Sequence, residues 1–249
     1  MIEDLRPDRP DRPEGGEDSG SDAPYRGEVA SLVGIVRGWG EDVRPDAEER
    51  LAGLAGAIRR WNAVINLVSR KDIGRLVTYH FCDAASVLPL LNLRHRVDAL
   101  DVGGSNGVPG LVLAALSPHL AVTVCDSRRK RSAFLEEAGG GGCGGAVGLG
   151  SFEVTRVDSN AFQERHGQGF DLIMARAVTR LRPLIKWCMP LLRPGGRLVA
   201  YKGSRSLEEV SEARTYFFDH GGGMLAVVGS PIGEQCNPLR MFVIATRYL

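Results

Sequence analysis

The chain has 249 residues, 43% of them hydrophobic and 6% aromatic, with a formal net charge of +1, enough for one large α/β unit with a helical addition. No run of about 18 apolar residues occurs, and the charged N-terminus carries no apolar stretch, so neither a membrane span nor a secretory signal is expected. Cys82, Cys125, Cys143, Cys188 and Cys236 are scattered and never form C-x-x-C, which argues against a disulfide framework and a zinc site and makes a reducing cytoplasm the expected compartment.

Residues 1–25 hold eight acids and three arginines, a balance of −5, so the remainder carries about +6. This segment repeats Asp, Arg and Pro with almost no large apolar residue, and it reads as a disordered tail. Residues 26–95 read as an N-terminal helical cap. Leu32, Ile35, Val36 and Trp39 recur at helical spacing, as do Leu51, Leu54, Ile58, Trp61 and Ile65. Pro45-Asp46 marks the start of the second helix, and His80–Leu91 is predicted as a third.

From residue 96 to 249 the rhythm becomes strand–helix alternation. The predicted strands are Val97–Val102, Ala121–Cys125, Phe152–Val157, Phe170–Ala175, Arg197–Tyr201, Met224–Val228 and Met241–Thr246. Helix-length segments separate most of them: Pro109–Leu116, Arg129–Ala138, Leu181–Leu192 and Leu207–Phe218. The expected architecture is α/β, with a mostly parallel seven-stranded sheet covered by helices on both faces. The last two strands lack an intervening helix and allow an antiparallel edge. Gly139–Gly150 is glycine-dense and reads as a surface loop.

Asp101-Val102-Gly103-Gly104-Ser105-Asn106-Gly107-Val108-Pro109-Gly110 follows the first strand and opens a helix. Ligands of open α/β sheets lie at such carboxyl ends, and glycines let a bulky ligand approach the backbone. Neither G-x-G-x-x-G nor a phosphate loop stands here. The second strand ends in Cys125-Asp126, where a carboxylate can accept both ribose hydroxyls of an adenosyl group. The third ends near Val157-Asp158-Ser159-Asn160, a polar cluster able to read an adenine edge. An acid at one strand end often only caps the next helix; three polar groups at successive strand ends favour an adenosyl ligand. Asp101 ahead of the glycines favours S-adenosylmethionine over a nicotinamide dinucleotide.

The chain resembles the bacterial 16S rRNA (guanine-N7) methyltransferase G family, also called glucose-inhibited division protein B. The resemblance rests on Trp61-Asn62 with Asn66-Leu67, His80-Phe81-Cys82-Asp83, Asp101-Val102-Gly103 with Gly107-Val108-Pro109-Gly110, and Asp126-Ser127 with Lys130-Arg131. Arg176-Ala177, Trp187-Cys188, Pro194-Gly195-Gly196-Arg197 and Lys202-Gly203 complete it. Order and spacing hold from about residue 51 to 205. The resemblance implies a class I, Rossmann-like fold and methyl transfer from S-adenosylmethionine to a guanosine N7 in 16S rRNA, free or in a small-subunit precursor, by a monomer needing no metal. It places the cofactor against Gly103, Val108, Ser159, Asn160 and Arg176; the chemical argument adds Asp126 and Asp158. His80, Asp83, Arg131 and Lys202 are the expected substrate contacts, and no general base is assigned.

Each residue also has a structural reading. His80 can bond Asp83 one turn on, Arg176 can pair with a sheet-end carboxylate, and Lys202 can be a solvated strand end. Trp61 and Trp187 suit a core, and Asn62 and Asn66, four apart, suit one helix face. The sequence departs from the family pattern at Ser105, where a glycine is usual, at Ala84, where a serine is usual, and at Asp158, where an arginine is usual. These changes leave two alternatives open: a methyltransferase acting on another RNA or a small molecule, or a non-catalytic adenosyl- or RNA-binding relic.

Overall fold

The computed structural model describes residues 25–139, 150–231 and 237–248. The expected tail up to residue 24 and most of the glycine-dense loop lie outside these. Tyr25, assigned to the tail by sequence, belongs to the cap: its ring is buried and its hydroxyl donates to the Ile73 carbonyl at 3.0 Å.

The cap opens with α1 (Arg26–Gly38) and α2 (Ala47–Trp61). Leu51, Leu54, Ile58 and Trp61 stack along the inner face of α2, all fully buried. Glu48 and Glu49 in its first turn and Arg59 and Arg60 in its last complement the helix dipole. The expected third helix, His80–Leu91, is not continuous: a 3₁₀ turn (Ile73–Arg75) and a π-helical turn (Leu76–Phe81) lead into it, and α3 (Cys82–Ala85) and α4 (Leu88–Leu91) divide the rest. Asn92 ends α4 in the left-handed conformation at φ +49°.

The sheet domain then runs β1 (Val97–Val102), α5 (Gly110–Leu116), β2 (Leu120–Asp126), α6 (Arg129–Gly139), β3 (Gly150–Val154), α7 (Asn160–His166), β4 (Phe170–Arg176), α8 (Leu181–Cys188), a 3₁₀ turn (Met189–Leu191), β5 (Leu192–Lys202), α9 (Ser206–Asp219), β6 (Gly222–Gly229) and β7 (Met241–Arg247). The seven strands take the order β3-β2-β1-β4-β5-β7-β6. The first five are parallel, and β7 runs antiparallel between β5 and β6. The expected architecture holds, with β3 ending three residues earlier than its apolar run, β5 starting five residues before Arg197, and the helix expected over Leu181–Leu192 giving way after Cys188 to the 3₁₀ turn that holds Pro190.

One core fills the space between the cap, α5, α6 and one sheet face; a second lies under α7, α8 and α9 on the other. The cap is sealed to the sheet by polar contacts as well. Arg197 donates to the Leu91 carbonyl at 2.7 Å, and the Tyr201 hydroxyl donates to the Ala84 carbonyl at 2.9 Å. Cys125 and Cys188 are buried thiols outside any disulfide, but Cys82 is disulfide-bonded, against the expectation from the cysteine spacing.

Candidate functional site

The chain order reverses at β1, which lies between β2 and β4. A cavity of about 590 Å³ opens there, within the usual range for small-molecule sites. Its floor is the strand ends: Val102, Gly103, Ser105, Asn106 and Val108 after β1, Cys125 and Asp126 on β2, and Arg176 to Val178 at β4. Thr155 to Asp158 after β3 and Trp187 on α8 form one wall, and Leu67, Val68, Ser69, Asp72 and His80 of the cap form the opposite one.

The glycine turn is shaped by backbone need. Gly103 sits at φ +70°, and a Cβ there would stand 2.9 Å from a Val178 methyl. At Gly110 a Cβ would lie 2.7 Å from the Asp101 Cβ, so only glycine lets α5 start against β1. Asp101 is fully buried; its Oδ2 accepts from the Gly110 N–H at 2.7 Å, while Oδ1 has no partner among the described residues. Burial pushes its carboxyl pKa up to about 7.

Asp126 closes the turn from the neighbouring strand. Its Oδ2 accepts from the Ser105 N–H at 3.0 Å, its Oδ1 accepts from the Arg128 N–H at 2.8 Å, and the Arg131 guanidinium lies 3.5 Å away. A carboxylate offers about four acceptor positions, so capacity for a ligand remains.

Asp158 lines the cavity but is ion-paired: Arg156 binds it with two nitrogens, at 2.9 and 2.7 Å, and this partner holds its carboxyl below the ordinary range. Ser159 caps α7, its hydroxyl accepting from the Phe162 N–H at 3.3 Å, and Asn160 is an exposed first helical residue. Neither lines the cavity.

Arg176 is the junction between sheet and cap. It donates to Asp83 Oδ2 at 3.2 Å, and its Nη1 lies 3.5 Å from His80 Nδ1. Asp83 is only 1% exposed and also receives Arg240 through both oxygens, at 2.7 and 2.8 Å, and the Asn237 amide at 3.3 Å. Two guanidiniums thus share one carboxylate, which leaves a surplus positive charge with Arg176 facing the cavity. His80 lines the cavity from the π-helical turn; burial, then the Arg176 charge, lowers its pKa and keeps the ring neutral. Its structural partner is Arg176, not Asp83.

Lys202 stands apart. It donates to the Thr179 carbonyl and to Glu209, both at 2.7 Å, and lines no part of the cavity. It is an internal tie, not a solvated strand end. The Arg176 carboxylate partner belongs to the cap rather than to a strand end. Trp61 is core, packed edge-on against Phe134, whereas Trp187 reaches the cavity wall. Asn62 follows the last residue of α2 and its side chain accepts from the Leu67 and Val68 N–H groups at 2.8 and 2.9 Å, so it shapes the loop instead of sharing a helix face with Asn66. The Lys130 side chain lies outside the described residues.

Sequence comparison decides the family. The profile of the rRNA small subunit methyltransferase G family (GidB) matches residues 47–235. The chain belongs to that family. Relatives bearing the family name include one from Symbiobacterium thermophilum, 34% identical over 74% of this chain and 75% of its own length. Another, from Roseiflexus castenholzii, is 33% identical over 87% and 90%. Among solved structures, an S-adenosylmethionine-dependent O-methyltransferase from Thermotoga maritima aligns at TM-score 0.51 and 15% identity, covering 79% of this chain and 71% of that one. The CurJ carbon methyltransferase aligns at TM-score 0.53 and 12% identity, covering 92% and 69%. Both share the Rossmann-like methyltransferase fold. This GidB-family protein is therefore a methyltransferase whose donor is S-adenosylmethionine, and the strand-end cavity, with its close-approach glycine and its carboxylate holding spare acceptor capacity, fits that molecule. Among the described residues no helix is long and apolar enough to span a membrane, and no group of His, Cys, Asp and Glu could hold a metal.

Proposed function

We propose that this protein methylates N7 of a guanosine in 16S rRNA, with Gly103, Val108, Asp126, Asp158 and Arg176 holding the donor and His80 facing the target base. The family assignment supplies the class of RNA. One observation carries the atom: each carboxylate lining the cavity already has partners. Asp72 is held by Ser69 and Arg75, Asp126 by two backbone N–H groups, and Asp158 by Arg156. His80 is neutral: its Nδ1 faces the Arg176 guanidinium, which can only donate, so the ring proton sits on Nε2, buried without a hydrogen-bond partner among the described residues, and the ring offers no free base. A site with its bases so engaged suits a nucleophile that needs no deprotonation, and guanine N7 carries a free lone pair.

When bound, S-adenosylmethionine supplies a methyl group activated on a sulfonium. The protein's task is positioning and electrostatics. Asp126 offers its spare lone pairs to the ribose side, and Trp187 offers an aromatic face beside Val157 and Asp158. The surplus charge around Asp83 draws an anionic group toward Arg176. The cap wall from Leu67 to His80 excludes water above the strand ends and leaves room for one unstacked base, which a loop provides most readily.

The test is methylation of 16S rRNA lacking the modification, free and within small subunits, using isotope-labelled donor followed by nucleoside mass spectrometry. Label is expected in 7-methylguanosine at one position. Label in another nucleoside removes the N7 assignment, and no label in either substrate removes the proposed function.

A further inference from the structure

The cations that sequence places against RNA are largely consumed by the protein itself. Lys202 is tied to Glu209 and Arg131 lies against Asp126, while Arg176, expected at the cofactor, is paired with Asp83. Arg156 and Arg75, nearer the surface, are paired with Asp158 and Asp72. Arg70, Lys71 and Arg128 differ. All three are exposed, and none has a carboxylate at ion-pair distance among the described residues.

Their placement is what gives them meaning. Arg70 and Lys71 lie between Ser69 and Asp72, both of which line the cap wall of the cavity. Arg128 lines the cavity from the far side, on the turn between β2 and α6. Free positive charge therefore borders the cavity on both the cap and the sheet domain. The one acid beside the cap pair, Asp72, is neutralised by Arg75 at 2.6 Å and takes a hydrogen bond from Ser69 at 2.6 Å. An unpaired, hydrated cation is available to a phosphate at once, whereas a paired one must first leave its carboxylate.

We infer that Arg70, Lys71 and Arg128 form the phosphate-binding rim that grips the substrate RNA backbone on either side of the target nucleotide. This inference rests on the proposed RNA substrate and adds which residues bind its backbone. The rim contacts position the strand without reading sequence, so they act through charge and salt dependence. Arg131 and Lys202 keep the fold and the cavity in shape, and Arg176 serves the donor.

The experiment compares wild type, the double variant Arg70→Gln/Lys71→Gln and the single variant Arg128→Gln in binding a 16S rRNA transcript by fluorescence anisotropy across salt concentrations. The double variant is expected to lose about tenfold in RNA affinity, with the slope of log K against log salt falling by about 1.4, or about 0.7 per contact on a single strand. Arg128→Gln is expected to lower the slope by about 0.7. Calorimetric affinity for S-adenosylmethionine and thermal unfolding of the double variant are expected to match wild type. Unchanged RNA affinity and slope in both variants overturn the rim. Equal losses in donor affinity and RNA affinity for the double variant also overturn it, since that is a general disturbance of the site. Wild type that binds the transcript with these slopes but does not methylate it removes the proposed reaction and leaves the rim standing; wild type that does not bind it removes both.

Discussion

Ser105 is the residue where this chain pays most visibly for its departure from the family's glycine turn. Its φ is +39°, a left-handed conformation that costs an L-residue roughly 1–2 kcal/mol. The conformation is held because the Ser105 N–H donates to Asp126 Oδ2 at 3.0 Å, across from β1 to β2. Ser105→Gly removes the steric penalty but loosens the unfolded chain, so its net stability change is expected within about 1 kcal/mol of zero. Ser105→Val adds β-branching at positive φ and is expected to lose about 1–2 kcal/mol and weaken donor binding. Thermal unfolding and calorimetric titration of both variants check this, and equal behaviour of the two would show that the turn tolerates any side chain. Gly103 and Asp126 were legible because each sits at a strand end that local apolar patterning locates. Arg240 was not, because it meets Asp83 from 157 residues away, and no local signal marks an exposed-looking Arg as the partner of a buried acid. Ala84 has a structural account: it is fully buried with its carbonyl under the Tyr201 hydroxyl, a place where a serine hydroxyl would need a partner of its own.

Elements announced themselves in proportion to their apolar content. Each of the seven strands coincides with a short apolar run, and for the central ones burial on both faces leaves few alternative explanations; β5 starts five residues ahead of its run, through Pro194-Gly195-Gly196, and β6 has no fully buried residue. The apolar run of the third overshoots its strand because Val157 is apolar and buried yet lies in the loop that reaches the cavity. Helix α7, Asn160–His166, was missed: it is polar and buries only Phe162, so its period is invisible. The π-helical turn was missed because one extra residue per turn leaves no compositional trace. The joint of β1 to α5 carries a pH prediction. Asp101 has an ordinary pKa of 3.8 and a folded value of about 7. Between these values the folded protein keeps a proton that the unfolded chain has lost, so stability falls as pH rises, by at most about 1.4 kcal/mol per unit. Asp101→Asn keeps an acceptor for the Gly110 N–H and does not ionise. Its melting temperature relative to wild type is expected to climb from about pH 4 to about pH 7 and to level off above that, read by differential scanning calorimetry. Parallel pH profiles would mean that Asp101 does not carry the titration.

At the scale of the whole molecule the cap and the sheet share one core, so the boundary near residue 95 divides the sequence without dividing the packing. Trp61 makes the point: it closes α2, is fully buried, and packs edge-on against Phe134 of α6 at 6.3 Å between ring centroids. Arg197, Tyr201, Arg176 and Arg240 tie cap segments to the sheet domain by hydrogen bonds, and the last two converge on Asp83, whose exposure is 1%. Severing such a contact leaves unsatisfied groups on both sides, so cap and sheet should lose structure together. Trp61→Ala removes a large ring from a site that cannot fully collapse and is expected to cost about 3–5 kcal/mol. Its urea transition is expected to remain single, with circular dichroism and the fluorescence of the two remaining tryptophans, Trp39 in the cap and Trp187 in the sheet domain, shifting at the same denaturant concentration. Two separated transitions would show that the cap unfolds alone. The same coupling bears on function, because the cap supplies the wall from Leu67 to His80 over the donor site. S-adenosylmethionine binding at a hundredfold excess over its dissociation constant should therefore restore about 2.7 kcal/mol to the weakened variant, and it should do so for both probes at once.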